Sequence, residues 1–481
     1  MSDNFMRGIK LSMFEDSDLQ RIHDYSMKIL AENGIRFPDE TALKIFKDHG
    51  FRVDGEQVYF TESQVRNALE TAPSHFVIRG RNSARNLDLG NGGYGVPGPI
   101  GPVNIMTLDE GIRKGMLKDV ENLCKIYQAS DVITMNTNNG VEANDVPVHI
   151  RHLEIMKAVL KHTDKPFYTE LFDYKKMNEA MDMIEIVMGE KLEPGGNIYL
   201  APGSCPSLSP LAWSKDCLGN IIALAERGQV VTTGTATSAG VTGPIRLFGT
   251  LVLQNAEVLT GIVLAQLVNP GNPVGYGTGA VPGNMRGAKY CCGSPGRVAL
   301  QLGFIEMGKR FYNLPTRSIP FSTDSLNNDY QCGLESYEGT IGNTLGGADY
   351  MLSEIGTVDG LMTTSFEKTI LDEEMVSRLL SIRDGIDISE DAASLEVIME
   401  VGSNGEFLTS DDTLDYMYDA WYPKYTDWNS TYETRLAEDY EYVLRRANEE
   451  WKRRLAEAPE SMLDKAAEEA LDAYIRQHSH G

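Results

Sequence analysis

From about residue 131 the chain repeats one unit, a short β-rich run followed by a longer helical stretch, and few architectures accept that rhythm seven times in succession. The runs are DVITMN at 131, KPFYTE at 165, GNIYLA at 196, QVVTTG at 229, NPVGYG at 272, PTRSIPF at 315 and ADYMLSE at 348. The stretches between them carry helix punctuation. Asp173 is placed to cap a helix whose apolar positions Met177, Met181, Ile184 and Val187 recur at helical spacing before Gly189, because an Asp side chain satisfies free N–H groups of a first turn. Ser209–Pro210 and Ser294–Pro295 read as two further helix starts. Strand–helix alternation builds a parallel sheet with right-handed crossovers. Seven or eight such units without a central break favour closure into a (β/α)8 TIM barrel over an open doubly wound sheet. The expected organisation is therefore α/β: an N-terminal helical and loop extension over 1–115, the barrel over 116–402 and a helical tail over 403–481. DGLMTT at 359 is the candidate for the eighth strand.

Charge narrows the partners. Lys plus Arg total 44 against 69 Asp plus Glu, a formal net charge of -25, which repels phosphate backbones and anionic lipid and argues against nucleic acid and membrane surfaces. No apolar run reaches the ~20 residues that span a bilayer, and the start lacks the order of a signal peptide. A cytoplasmic protein is expected, its six cysteines too sparse for a disulfide framework and without CxxC pairs.

Barrel active sites lie at the C-terminal ends of the strands. GYGTGAVPGNMRGAKYCCGSPG, residues 275–296, follows one strand run and precedes the Ser294–Pro295 helix start, which makes it a long loop at that mouth. Its glycines permit close backbone approach to a ligand. All eight histidines lie outside residues 163–477, and the HxxH pair His149 and His152 flanks a helix start, so a metal centre is not expected. GxSxG and GxxxxGK are absent, and GNGGYG at 90 reads as a turn. The mouth instead offers Tyr168, Glu170, Tyr199, Tyr276, Phe321, Asp324, Tyr330, Gln331, Glu335 and Phe366. Aromatic faces with few titrating groups suit a cation that is hard to protonate; the competing reading is barrel packing. Cys291 and Cys292 are expected to pack.

Three segments, GNMRGAKYCCGSPG at 283, STDSLNNDYQCGLESYEG at 322 and SNGEFLTSDDTLDYMYDAWYP at 403, together resemble the trimethylamine methyltransferase family, and the likeness runs along essentially the whole chain. The resemblance implies a barrel that moves a methyl group from a methylated amine to the cobalt of a corrinoid carried by a separate small protein. One branch of the family places pyrrolysine near the STDSLNNDYQCGLE segment, where this chain has Gln331 and Cys332. The implied branch is the one acting on quaternary amines such as glycine betaine. A quaternary ammonium leaves as a neutral amine and needs no proton, and cobalt(I) supplies the nucleophile, so the protein binds and orients. The DxHxxG corrinoid motif is absent, Asp48 being adjacent to His49. The corrinoid (cobalamin) is then expected to arrive on a partner docked at the strand ends, with none held tightly by this chain.

The expected site follows. Tyr94, Tyr168, Tyr276 and Phe366, with Tyr330, would enclose the onium head; Arg286 or Arg317 would hold a carboxylate, which arginine grips with two parallel hydrogen bonds. Asp324, Gln331 and Glu335 would order water or substrate as the catalytic set. Proline betaine, carnitine and butyrobetaine are alternative substrates. A Schiff-base or metal-dependent lyase barrel and a non-catalytic betaine-binding subunit are the rival functions. The rings from Tyr416 to Trp428 are expected to join subunits in a homo-oligomer.

Overall fold

The barrel begins earlier than residue 116. In the computed structural model, which describes residues 6–138, 140–202, 205–287, 289–351, 354–431, 433 and 442–479, Gly95 bridges to Tyr350 and Pro97 to Met135, both in parallel. Segment 95–97 is thus the first barrel strand, β1, and it closes the ring. The others are β2 (Asn136–Thr137), β3 (Phe167–Thr169), β4 (Leu200–Pro202, resuming at Cys205–Ser207), β5 (Val231–Thr235), β6 (Val274–Gly277), β7 (Thr316–Ser318) and β8 (Tyr350–Met351). Each pairs in parallel with the next.

This corrects the expected eighth strand. Thr363–Ser365, which begins within DGLMTT, is extended but pairs with Asn104–Thr107 in a side sheet completed by Gly111–Lys114 and Thr357–Val358. The true closing strand lies inside GYGVPGP, whose glycines and prolines read as turn. Packing explains them. A Cβ on Gly95 would lie 2.8 Å from Cβ of Tyr350, and one on Gly98 would lie 2.5 Å from the Tyr127 ring.

Eight helices alternate with the strands: α1 (Leu117–Ala129), α2 (Val148–His162), α3 (Tyr174–Met188), α4 (Lys215–Glu226), α5 (Leu247–Val268), α6 (Pro295–Glu306), α7 (Tyr330–Gly346) and α8 (Phe366–Asp384). Asp173 caps α3 by accepting from the Lys176 N–H, and Gly189 ends it in the left-handed conformation. Pro295 opens α6 as expected. Ser209–Pro210 opens nothing; α4 starts later, with the Ser214 hydroxyl accepting from the Cys217 N–H, so the proline sits in the preceding loop.

α5 has the length and composition to cross a membrane, with a mean hydropathy of 1.6, contrary to the expectation that no run is long enough. It is 89% buried, however. The barrel covers one side, and the N-terminal helices Asp16–Glu32 and Glu62–Thr71 cover the other, so it is apolar all round for the reason any enclosed helix is. The N-terminal hairpin Phe76–Ile78/Leu87–Leu89 fills the lower end of the barrel. There Phe76, Ile78 and Leu89 pack with Met135, Tyr168 and Tyr350. Two tail helices wrap the outside, Tyr442–Glu457 against α8 and α1 and Lys465–His478 against α2 and α3.

Candidate functional site

Two small sheets frame the mouth. The glycine-rich stretch after β6 is an antiparallel hairpin, Val281–Asn284 with Lys289–Tyr290, joined in parallel by Ser238–Ala239 from the loop after β5. Gly283 permits that approach, since a Cβ there would meet the Ala239 carbonyl at 2.9 Å. The returning arm brings Tyr290 inward, and its hydroxyl donates to the Gly279 carbonyl. Opposite, the side sheet built from the loops after β1 and β8 supplies Ile100 and Leu361.

Between the sheets lies a cavity of about 160 Å³ lined by Glu170, Thr235, Tyr290, Arg317, Ile319 and Glu354 among others. At ~30 Å³ per water it has the volume of about five waters, a small molecule's worth. Glu170 is the first residue after β3, Glu354 follows β8, and Arg317 is the middle residue of β7, and all three line the cavity. Arg317 is 5% exposed and donates through Nη1 to the Thr278 carbonyl at 2.9 Å. Its Nε and Oε2 of Glu354 are buried without a partner among the described residues. Burial pushes the Glu354 carboxyl up to about 8, reinforced by Glu170 and opposed by Arg297, Arg317 and Lys368. Burial pushes Glu170 up to about 7 against the pull of Arg317. Burial thus favours the protonated form of both carboxyls.

The cavity wall is braced from behind. Glu257 of α5 accepts from Ser207 Oγ at 2.5 Å, Ser209 Oγ at 2.7 Å, the Leu211 N–H at 2.8 Å and Thr235 Oγ1 at 3.2 Å. This buried carboxyl fixes the loop after β4 against the end of β5, and with it Thr235. Such a saturated network is rigid.

Of the residues expected at the site, Arg317 lines the cavity. The aromatic cage does not form. Tyr168 points into the barrel interior with Met135 and Tyr350. Tyr276 faces the helices, stacked on Phe304 with centroids 4.2 Å apart, and donates to Asn255 Oδ1 at 2.6 Å. Phe366 packs edge-on against Trp451 of the tail. Tyr94 precedes β1 at the opposite end of the barrel, under the Arg383 guanidinium. Alternation along a strand decides which ring faces in, and runs of two or three residues leave that phase open. Tyr330 is 85% exposed at the start of α7, and Arg286 is exposed on the hairpin turn.

The expected catalytic set sits one layer further out. Asp324 accepts from the N–H groups of Cys292 at 3.2 Å and Gly293 at 2.9 Å and from the Cys291 thiol. Glu335 accepts from Thr323 Oγ1 at 2.6 Å, from the Asp324 N–H at 2.9 Å and from Gln331 Nε2 at 2.9 Å. Asp324 thus ties the loop after β7 to the segment that follows the hairpin, and Glu335, braced by Gln331, ties the same loop to α7. Asp324 also lines a hollow of about 500 Å³ with Asn284, Lys289, Leu326 and Met362, and Tyr290 is a wall of both hollow and cavity. His152 is taken up by Glu179, at 2.6 Å.

Glu354 and Tyr290 escaped the sequence reading, and Glu170 was seen without a role. A signal existed: KPFYTE and ADYMLSE each end a barrel strand in an acid, the position where barrels keep their chemistry.

A closed parallel barrel with a small polar cavity at its strand ends defines a barrel enzyme acting on a small polar molecule. Comparison with known proteins narrows this. The family model described as trimethylamine methyltransferase (MTTB) matches residues 4–481. The chain is 34% identical over 475 residues to a glycine betaine methyltransferase of Desulfitobacterium hafniense, covering 97% of each chain. It is 32% identical over 469 residues to a proline betaine:corrinoid methyltransferase of Eubacterium limosum, covering 95% of this chain and 96% of the relative. A solved structure, the Methanosarcina barkeri monomethylamine methyltransferase, covers 94% of this chain and is itself covered to 96%, at 14% identity and a TM-score of 0.49. The chain belongs to the trimethylamine methyltransferase family and is a methyltransferase.

Proposed function

We propose that this enzyme takes a methyl group from a carboxylate-bearing quaternary amine, glycine betaine or a close relative, and delivers it to cobalt(I) of a corrinoid carried by a partner protein. The observation that carries the reading is Arg317 lining one small cavity at the strand ends together with Glu170 and Glu354. The arginine matches the carboxylate of a betaine. The two carboxyls match a fixed positive charge that offers no N–H to bond, in place of the expected ring cage, with Tyr290 as the aromatic wall. Such attraction is strong only where water is excluded.

The transfer asks little else of the chain. Cobalt(I) supplies the electron pair that forms the bond to the methyl carbon, the C–N bond breaks with its pair on nitrogen, and a neutral tertiary amine remains. The residues hold the onium head so that one methyl faces the mouth, and they keep water out. The test is incubation with cobalt(I) cobalamin and a panel of glycine betaine, proline betaine, carnitine, butyrobetaine and trimethylamine, followed by methylcobalamin absorbance. Transfer from a betaine and none from trimethylamine is the expected result. Silence with every amine sinks the reading, as does borohydride trapping of a substrate or a stoichiometric structural metal, which would point to a lyase.

A further inference from the structure

Leu361, in the turn between Thr357–Val358 and Thr363–Ser365, holds a backbone conformation that leucine rarely adopts. Its φ is +78°, and Asp359 and Gly360 before it are also left-handed, at +59° and +55°. Glycine enters that region freely and aspartate tolerates it, but the Cβ of a bulky residue crowds the following carbonyl. Among the described residues Leu211 is the other large apolar residue so placed, and it does not line the cavity. The turn is pinned on both sides of Leu361. The Asp359 N–H donates to the Ser325 carbonyl at 2.7 Å and the Gly360 N–H to the Thr323 carbonyl at 3.0 Å, while the Met362 carbonyl accepts from the N–H groups of Val103 and Asn104, each at 3.1 Å. A strained residue persists only where its surroundings impose the strain, and such residues cluster at functional sites.

The facing of the turn shows what the strain achieves. Asp359, Gly360 and Met362 line the outer hollow of about 500 Å³, and Leu361 alone of the four lines the inner cavity of about 160 Å³. The turn is a partition between the two spaces, and the left-handed leucine is its inward face. Tyr290 also borders both, but its hydroxyl is tied to the Gly279 carbonyl, whereas Leu361 offers only apolar bulk. We propose that Leu361 is the specificity-determining residue of the cavity, a stop that confines it to the shortest betaine, glycine betaine, and shuts out those with a longer chain between nitrogen and carboxylate; this rests on the reading of the cavity as a betaine site. Charged side chains recognise the two ends of such a molecule, and an apolar wall limits what joins them. Shortening the leucine joins the cavity to the hollow and gives a longer chain somewhere to go.

Two substitutions test it together. Leu361→Ala and Leu361→Gly both remove the isopropyl group, but alanine keeps the backbone clash that glycine lacks. Each variant and the wild type are assayed with glycine betaine and with butyrobetaine, cob(I)alamin being the acceptor, and melting temperatures are read on the same samples. In both variants the ratio of kcat/KM for butyrobetaine to that for glycine betaine should rise about tenfold to hundredfold, the range that methylene-sized changes in a pocket produce. The glycine variant should melt about 1 °C or more above the alanine variant, the reverse of the usual order of these two residues. A ratio that does not move overturns the proposal, as does a wild type that turns over both betaines equally well. An alanine variant that melts above the glycine variant overturns it too, because the strain is then absent. Should the alanine variant fail to fold, the ratio in the glycine variant decides. A wild type that methylates cob(I)alamin from no betaine sinks the underlying function, whereas one active on glycine betaine with an unmoved ratio in the variants sinks this proposal alone.

Discussion

Arg317, Glu170 and Glu354 make the binding argument, and each supports a measurement. Arg317→Met should raise KM for glycine betaine roughly tenfold to hundredfold, the worth of about 1.5–3 kcal/mol for a hydrogen bond to a charged group, with a smaller change in kcat. The acids govern pH. Both carboxyls are raised by burial from an ordinary 4.5, Glu170 to about 7 and Glu354 to about 8, so the fold binds protons more tightly than the unfolded chain. Their contribution to stability is therefore fully present below about 4.5 and declines as pH rises towards 8. A betaine cation favours the ionised forms, so its affinity should climb from pH 6 to pH 9. The betaine-induced rise in melting temperature should likewise be larger at pH 8.5 than at pH 6, and Glu354→Gln should flatten both trends. Tyr276 supplies the contrast. Tyr276→Phe removes a buried bond to Asn255 and should cost about 1–3 kcal/mol in denaturant titration while leaving methyl transfer intact. The sequence held the identities of these residues but not their facing: Tyr168 and Tyr276 are both strand tyrosines, one turned to the barrel core and one to the helix layer.

At the scale of elements, strands β2 to β8 were legible because β-rich runs alternate with capped helices, and β1 was not. Its glycines and prolines suit close packing and imitate a turn, and its partners, β2 and β8, lie about 40 and 250 residues away. The tail illustrates a second limit, since helical periodicity says nothing about what a helix leans on. Tyr442–Glu457 leans on α8, and Arg454 makes a two-pronged pair with the buried Glu373 at 2.8 and 2.9 Å. Arg454→Met leaves that acid unpaired and should destabilise the protein by about 3–5 kcal/mol, read as a lower denaturant midpoint; Glu373→Gln added to it should recover part of the loss. The aromatic stretch behaves in two ways. Tyr425 is buried and Trp421 donates to Ser377 Oγ at 3.0 Å beneath Arg378, whereas Tyr416, Tyr418 and Tyr422 stay exposed.

For the molecule as a whole, many of the exposed apolar residues lie on a flank made by residues 6–13 and 386–428. The flank is continuous because Met6–Arg7 pairs with Ile386–Asp387. The expected homo-oligomer would use this flank, and light scattering should then give a mass above the 53.2 kDa of one chain. Tyr418→Glu with Leu408→Glu should lower that mass without loss of methyl transfer. The stoppered lower end of the barrel adds a rule of traffic. On the proposed function amine and carrier would share one doorway, so the amine would be seated before the carrier arrives and would wait behind it until it leaves. Kinetics should be compulsorily ordered, and an excess of carrier should slow turnover by trapping the demethylated amine inside.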